Sequence, residues 1–298
     1  MRKTVRTCCW FLVINLLVSK TASAIDISDF VDFSLRSGGS TLLPGRLYVP
    51  PEAIGGSATP RPFIVFLHGG SGAGTDNMHQ LNQDMVDLAF EAERRGAFLY
   101  LPQAPLNWRP KAVTDYVMTM IDHGLADYDV DRTRMYLSGY SSGGGGTWNM
   151  LSRYPKRFAA AVSVSPVSAE PDFVQANLVG QPITVFHARN DSIAPVATTR
   201  DIINRILIAA KQPVPTYPGA NAPDFSYSVA QLDLTYNEPA SGDHSVLFSV
   251  YNKPTLYTWL FAHTIVPEPS TGVLLVAGAF LLAGHRRRDR FICGRGCT

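Results

Sequence analysis

The sequence predicts an α/β fold in which a mostly parallel central sheet is covered on both faces by helices, and three observations carry that prediction. Between residues 25 and 265, short apolar runs alternate with amphipathic stretches, the order that sets helices against a parallel sheet. Most of those runs are brief and apolar throughout, as strands buried on both faces are. The third observation is the pentapeptide Gly139-Tyr140-Ser141-Ser142-Gly143, which lies between an apolar run, 135–137, and a helix-like run, 147–154. Strand, sharp turn and helix is the context in which a serine hydroxyl is thrust clear of a sheet.

The chain opens with Met1-Arg2-Lys3-Thr4-Val5-Arg6, an apolar run over 8–18, and Ala22-Ser23-Ala24. Basic, apolar and small-residue regions in that order read as a secretory signal peptide, so residues 1–24 are expected to be removed after Ala24. One domain, 25–265, follows. Strands are expected at 45–49, 63–67, 98–101, 134–138, 160–165, 183–187 and 232–236, and helices at 77–94, 113–125, 147–154, 196–210 and 256–263. In the first helix Leu81, Met85, Leu88 and Ala89 keep the spacing of a core-facing stripe. Two segments, 50–62 and 212–228, are rich in proline, glycine and alanine and read as loops.

Residues 266–298 break with this pattern. Val266-Pro267-Glu268-Pro269-Ser270 leads into an apolar stretch of about 14 residues, short of the roughly 18 to 20 of a stable membrane span. His285-Arg286-Arg287-Arg288 follows, and arginines there would hold that end on the cytoplasmic side. This tripartite tail resembles the PEP-CTERM sorting signal of exported Gram-negative bacterial proteins. The resemblance implies transport across the inner membrane, transient membrane contact through the hydrophobic tail helix, and its removal by an exosortase-type protease. The destination it implies is the cell envelope, the cell surface or the extracellular matrix. An ordinary C-terminal membrane anchor is the alternative reading.

The two ends also carry the positive charge. The formal net charge is +2, but the first 24 residues hold four cations and the tail a surplus of three, which leaves about −5 for the body. An acidic body argues against nucleic acid as a partner. All four cysteines lie in the ends, so the body is without thiols or disulfides despite its expected export. With 46% hydrophobic residues it can rely on its core instead. No C-x-x-C or H-E-x-x-H spacing points to a metal and no G-x-G-x-x-G opens a helix after a strand, so no cofactor is expected.

A serine hydroxyl is too weakly acidic to attack an acyl carbonyl unaided; it needs a base for its proton and donors for the oxyanion. In a sheet of this kind the partners follow in the order Ser, then Asp or Glu, then His, at the ends of later strands. Asp191 fits the acid, since it follows the expected strand ending at His187; Glu170, one strand earlier, competes. Of the later histidines, His285 belongs to the basic tail and His263 ends a helix, which leaves His244 in the turn Ser241-Gly242-Asp243-His244-Ser245 as base. The oxyanion donors are expected to be the backbone N–H groups of Ser142, after the nucleophile, and of Gly70 in His68-Gly69-Gly70-Ser71-Gly72-Ala73-Gly74. That loop lacks the G-K-[ST] ending of a phosphate loop, and His68 is expected to brace it.

Several segments together resemble one family. Leu67-His68-Gly69-Gly70, Leu101-Pro102-Gln103-Ala104-Pro105 with Trp108, Asp131 through Gly144 with Gly146-Thr147-Trp148, and Tyr154-Pro155 with Phe158-Ala159-Ala160 look like the α/β-hydrolase group of bacterial carboxylesterases. That group includes predicted-peptidase, poly(hydroxybutyrate)-depolymerase-like and feruloyl-esterase-like members. His244 followed by Tyr251, Leu256, Tyr257 and Trp259 resembles the group's ending. Two departures stand out: Ser142 occupies a position where methionine is common, and 212–228 is longer than expected before the last strand. Tyr217, Phe225 and Tyr227 put aromatic surface on that segment, for which plain packing is the first reading. The resemblance implies a serine hydrolase acting on a small-molecule or polymeric carboxylic ester. A serine peptidase on the same residues, or a non-catalytic binder of envelope polysaccharide, remains as an alternative.

Overall fold

Adjacent side chains of a single strand show how the chain distributes its apolar residues. In the computed structural model, which describes residues 26–54, 59–167 and 174–265, strand β5 (Arg61–Leu67) sends Phe63, Val65 and Leu67 into one core and Ile64 and Phe66 into another. A strand with both faces buried must have a layer of helices on each side. One layer is α2 (Lys111–Asp127), α3 (Ser142–Arg153) and α4 (Val196–Ala209), which contribute Val117, Ile121, Trp148, Leu151, Ile203 and Ile206 to the first core. The other is α1 (Val86–Arg94), α5 (Leu247–Tyr251) and α6 (Pro254–Ala262), whose Leu88, Ala92, Val250, Tyr251, Tyr257 and Leu260 fill the second.

The sheet between them has nine strands in the order β1-β4-β6-β5-β7-β8-β9-β11-β10. Strands β6 (Phe98–Pro102), β5, β7 (Val130–Tyr140), β8 (Ala160–Val164), β9 (Ile183–Phe186) and β11 (Leu234–Glu238) run parallel. Antiparallel strands close both margins, with β4 (Gly45–Tyr48) and β1 (Phe30–Asp32) beyond β6 and β10 (Phe225–Val229) beyond β11. A separate hairpin pairs β2 (Leu35–Ser37) with β3 (Ser40–Leu43). The chain leaves β5 for β6 on one side and then returns to β7 on the other, so the winding direction reverses between β5 and β7. In open parallel sheets the crevice at the carboxyl ends of such a pair is where ligands bind. Here those ends are the glycine loop after Leu67 and the turn at Ser141.

The expected mostly parallel α/β sheet is therefore observed, with local corrections. The helix expected at 77–94 begins only at Val86, after a short 3-10 turn, Gln83–Met85. Asp76 Oδ1 accepts the N–H groups of Met78 and His79, Asn77 has a φ of 58°, and the Asn82 side chain bonds the N–H of Asp84 and the carbonyl of His79. These short polar side chains take the backbone groups that a helix would need. The end of the segment read as a loop, 212–228, is strand β10, where Phe225-Ser226-Tyr227-Ser228-Val229 alternates apolar and polar as an edge strand does. Tyr217 and Phe225 pack edge-on against Tyr236 of β11, so packing is the role of that aromatic surface. The last parallel strand starts at Leu234, two residues later than expected, because Ala230–Leu232 forms a 3-10 turn. The signal-peptide segment, Glu170 and the tail 266–298 lie outside the described residues. Among those described, no helix is long and apolar enough to cross a membrane.

The joint between β7, α3 and β5 admits no side chains at two glycines. A Cβ at Gly139 would stand 2.2 Å from the Gly143 carbonyl oxygen, and one at Gly143 would stand 1.8 Å from the Leu67 carbonyl oxygen. Both clashes are with backbone, which cannot swing aside. Gly143→Ala is therefore expected to cost at least about 3 kcal/mol or to prevent recovery of folded protein. Gly70→Ala, whose Cβ meets nothing within 4 Å, should change stability by about 0.5 kcal/mol or less. Thermal and denaturant unfolding of the two variants checks the contrast.

Candidate active site

Ser141 sits where β7 turns into α3, with φ 54° and ψ −114°, a backbone conformation that side chains other than glycine rarely adopt. Hydrogen bonds on both sides enforce it. The Ser141 N–H donates to the Val164 carbonyl at 2.9 Å, and its own carbonyl accepts from Gly145 at 3.1 Å and Val167 at 3.2 Å. The strained turn lifts the side chain out of the sheet, and Ser141 Oγ lies 2.8 Å from His244 Nε2.

His244 reaches that point because its loop is stitched to the loop that carries Asp191. Asn190 Oδ1 accepts from the Asp243 N–H at 3.0 Å, and Asp243 Oδ1 accepts from the N–H and hydroxyl of Ser192 at 2.8 and 2.9 Å. Below them the Arg189 N–H donates to the Pro239 carbonyl at 2.8 Å, extending the pairing of β9 with β11. The two loops thereby present Asp191 Oδ2 to His244 Nδ1 at 2.8 Å. With Nδ1–H donating to the carboxylate, Nε2 is left as the acceptor for the Ser141 hydroxyl.

The Asp191 side chain is fully buried. Burial works against its charge, yet the N–H groups of Ala194 and Ile193 on Oδ1 and the His244 ring on Oδ2 outweigh it and hold the carboxyl below the ordinary carboxylate range. His187 joins the same carboxylate from behind, with Nε2 3.2 Å from Asp191 Oδ2 and 2.8 Å from the Ala194 carbonyl. Its Nδ1 lies 2.7 Å from Thr199 Oγ1. Burial pushes His187 below its usual pKa, so it stands as a neutral ring whose Nε2–H donates and whose Nδ1 accepts. In the sequence His187 was visible only as the last residue of a strand. Tyr140 is a second contact that the sequence leaves unmarked: its ring packs 5.2 Å from the His244 ring, centroid to centroid.

Of the expected oxyanion donors, Ser142 opens α3 and Gly70 opens the 3-10 turn Gly70–Gly72. Among the described residues neither N–H donates to a protein acceptor. Their segments are in direct contact, since a Cβ on Gly69 would stand 3.5 Å from Ser141 Cβ. His68 braces the loop, as expected. Its Nε2 accepts the Ala104 N–H at 3.0 Å, so Nδ1 carries the proton and donates to the Gly69 carbonyl at 2.6 Å. The His68 carbonyl in turn accepts the Trp108 indole N–H at 2.9 Å. The remaining candidate, His263, lies apart from Ser141, His244 and Asp191, on the Trp259 carbonyl at 2.8 Å and Asp233 Oδ2 at 2.7 Å. Among the described residues no group of His, Cys, Asp and Glu could hold a metal ion.

Comparison with known proteins agrees with this architecture. The model of the Dienelactone hydrolase family matches residues 102–245. A bifunctional acetylxylan esterase/xylanase of Neocallimastix patriciarum is 33% identical over 82 residues, which is 27% of this chain and 12% of that protein. Among solved structures, a thermostable esterase superposes with a TM-score of 0.64 at 25% identity over 80% of this chain and 64% of the other. An acetyl xylan esterase from Aspergillus awamori gives 0.57 at 15% identity over 77% of this chain and 99% of the other, a likeness of fold. The chain thus spans a small part of the curated relative and under two thirds of the thermostable esterase. It has an α/β-hydrolase-like fold, and its likenesses are to hydrolases and esterases.

The His68 brace has a consequence for acid stability. Burial lowers its pKa from 6.5 to about 4, so between those values the unfolded chain binds a proton that the folded one does not. The stabilisation is complete above about pH 6.5 and is lost as the pH falls toward 4, by up to about 3 kcal/mol. His187 acts in the same direction. Urea midpoints at pH 7 and 4.5 should show a larger acid loss for the wild type than for His68→Asn; equal losses would remove His68 from this account.

Proposed function

We propose that this protein is an exported serine hydrolase that cleaves carboxylic esters, with Ser141 as nucleophile, His244 as general base and acid, and Asp191 as orienting carboxylate. The observation that carries this reading is the unbroken chain Ser141 Oγ, His244 Nε2, His244 Nδ1, Asp191 Oδ2, with both hydrogen bonds at 2.8 Å. The likeness to esterases supports it. In the proposed cycle the Ser141 proton passes to His244 Nε2 while Oγ attacks the acyl carbon. Asp191 remains ionised and stabilises the imidazolium.

The oxyanion would be held by the N–H groups of Gly70 and Ser142, in an environment where such donors are pre-oriented. Collapse expels the alcohol, which takes the proton from Nε2, and a water then enters by the same route to release the acid and restore Ser141. Export rests on residues 1–24 and on the tail resembling a PEP-CTERM signal, with an exosortase-type protease as processing partner. Acetylated saccharides are the first natural esters to try, given the acetylxylan esterase among the similar proteins.

The chain from Ile25 to Val266 should hydrolyse a short-chain aryl ester and take a fluorophosphonate label on Ser141. Ser141→Ala should lower kcat/KM by about 10⁴-fold or more while unfolding at the wild-type temperature. Unchanged turnover in that variant would sink the assignment. Matched ester and amide substrates separate an esterase from a peptidase, with substantial amide cleavage favouring the latter.

A further inference from the structure

A cleft of about 420 Å³ opens between Ser71 and the segment from Met78 to Asp84. Ser71 follows Gly70 directly, so one wall of the cleft is the glycine loop itself. Inside it lies the half-buried Asp84 carboxylate. Ser71 Oγ donates to its Oδ2 at 3.1 Å, and among the described residues it has no ion-pair partner. Burial raises the carboxyl, opposed by the Ser71 hydroxyl and by the charge of His244, which is close enough to act on it. The charged side chains acting on the neighbouring Tyr140 phenol are Asp84, Asp191 and Asp243, all carboxylates.

Of these three, two are occupied. Asp191 accepts from His244 and two backbone N–H groups, and Asp243 accepts from Ser192. Among the described residues only the Ser71 hydroxyl donates to the Asp84 carboxylate, which keeps acceptor capacity in a cleft whose wall at Ser71 adjoins Gly70.

We propose that this cleft seats one part of the ester and that Asp84 sets its charge preference. Uncharged hydroxyl-bearing or cationic groups are accepted there, and anionic groups are repelled. The inference rests on the serine-esterase reading of Ser141. A substrate hydroxyl entering the cleft donates to the free lone pairs of Asp84, a charge-assisted bond roughly twice as strong as a neutral one. A carboxylate or phosphate entering it would surrender hydration and meet an uncompensated like charge.

Two pairs of aryl esters test this with the intact protein at pH 7.5 and low salt. One pair carries the charge on the acyl side, methyl 4-nitrophenyl succinate against 4-nitrophenyl hydrogen succinate. The other carries it on the leaving side, methyl 4-acetoxybenzoate against 4-acetoxybenzoate. In at least one pair the wild type should prefer the neutral member by about tenfold in kcat/KM, and that pair shows which part of the ester enters the cleft. Asp84→Asn should shrink the preference several-fold, and 0.5 M salt should shrink it in the wild type, since a half-exposed charge is screened. Gln83→Lys, at an exposed position on the same cleft, should shrink it as well and does not depend on how Asp84→Asn folds. If neutral esters are cleaved and neither ratio responds to either substitution, the charge preference is overturned while the esterase reading stands. If the wild type cleaves no neutral ester, both fall together.

Discussion

Everything at the candidate site depends on how closely the first turn of α3 approaches the end of β5. Gly143 lies against the Leu67 carbonyl and Gly139 against the Gly143 carbonyl, at separations that exclude any Cβ. That contact leaves the residue between them only a sharp reversal, and Ser141 takes it at a positive φ. The cost of such a conformation, of order 1–3 kcal/mol, is offset by the backbone bonds from Val164, Gly145 and Val167 around it. The same approach sets the glycine loop after β5 beside the serine, so Ser141 and the N–H groups of Gly70 and Ser142 are placed by one packing event. Gly146 extends the contact, since a Cβ there would meet the Trp108 ring, and Trp108 in turn holds the His68 carbonyl.

The placement of Asp191 and His244 depends on a different device, a pair of loops tied to each other. Each strand end supplies side chains to the other loop, Asn190 to Asp243 and Asp243 to Ser192. Just beneath lies a fully buried Glu238, which accepts from Arg189, Arg200 and Tyr236 at 2.6–2.7 Å. Buried ion pairs contribute little net stability once desolvation is counted, so specificity of geometry is the better account of this cluster. The two guanidinium groups also bond the carbonyls of Pro218, Ala222 and Pro223. The long segment before β10 is therefore tied to the buried carboxylate on which β9 and β11 converge. A segment held in this way acts as a wall, and its aromatic residues belong to the core.

What the sequence disclosed followed from strict local rules. Periodicity marked the stripe Leu81, Met85, Leu88, Ala89, and all four are buried, although the helix itself starts five residues after Leu81. The glycines around Ser141 marked the elbow because backbone proximity leaves no other residue type. Asp191 and His244 were singled out through order along the chain, since each follows a strand, and the structure brings their side chains together. Other features had no local signature. The edge strands β1 and β10 are short and half-exposed, and the competition of Asp76, Asn77 and Asn82 for backbone groups shows only once their partners are in place. The contacts of His187 with Asp191, Ala194 and Thr199 and of Asp84 with Ser71 depend on how irregular loop backbone turns back on itself, which no periodic spacing encodes.

Three carboxylates act on the Tyr140 phenol that packs against His244, and their environments differ. Asp191 is sealed from water and saturated with donors, so its charge is fixed in place and can only orient His244. Asp243 spends its acceptor capacity on Ser192 and serves the geometry of the turn. Asp84 alone is neither saturated nor solvent-screened to the same degree, which is why the proposed charge preference is assigned to it. Two carboxylates near one reacting centre act differently when their surroundings differ. A negative field from Asp84 would disfavour an anionic ester beside it. In the proposed reading, charge selectivity is therefore set by the one carboxylate that is partly withdrawn from water yet keeps free lone pairs.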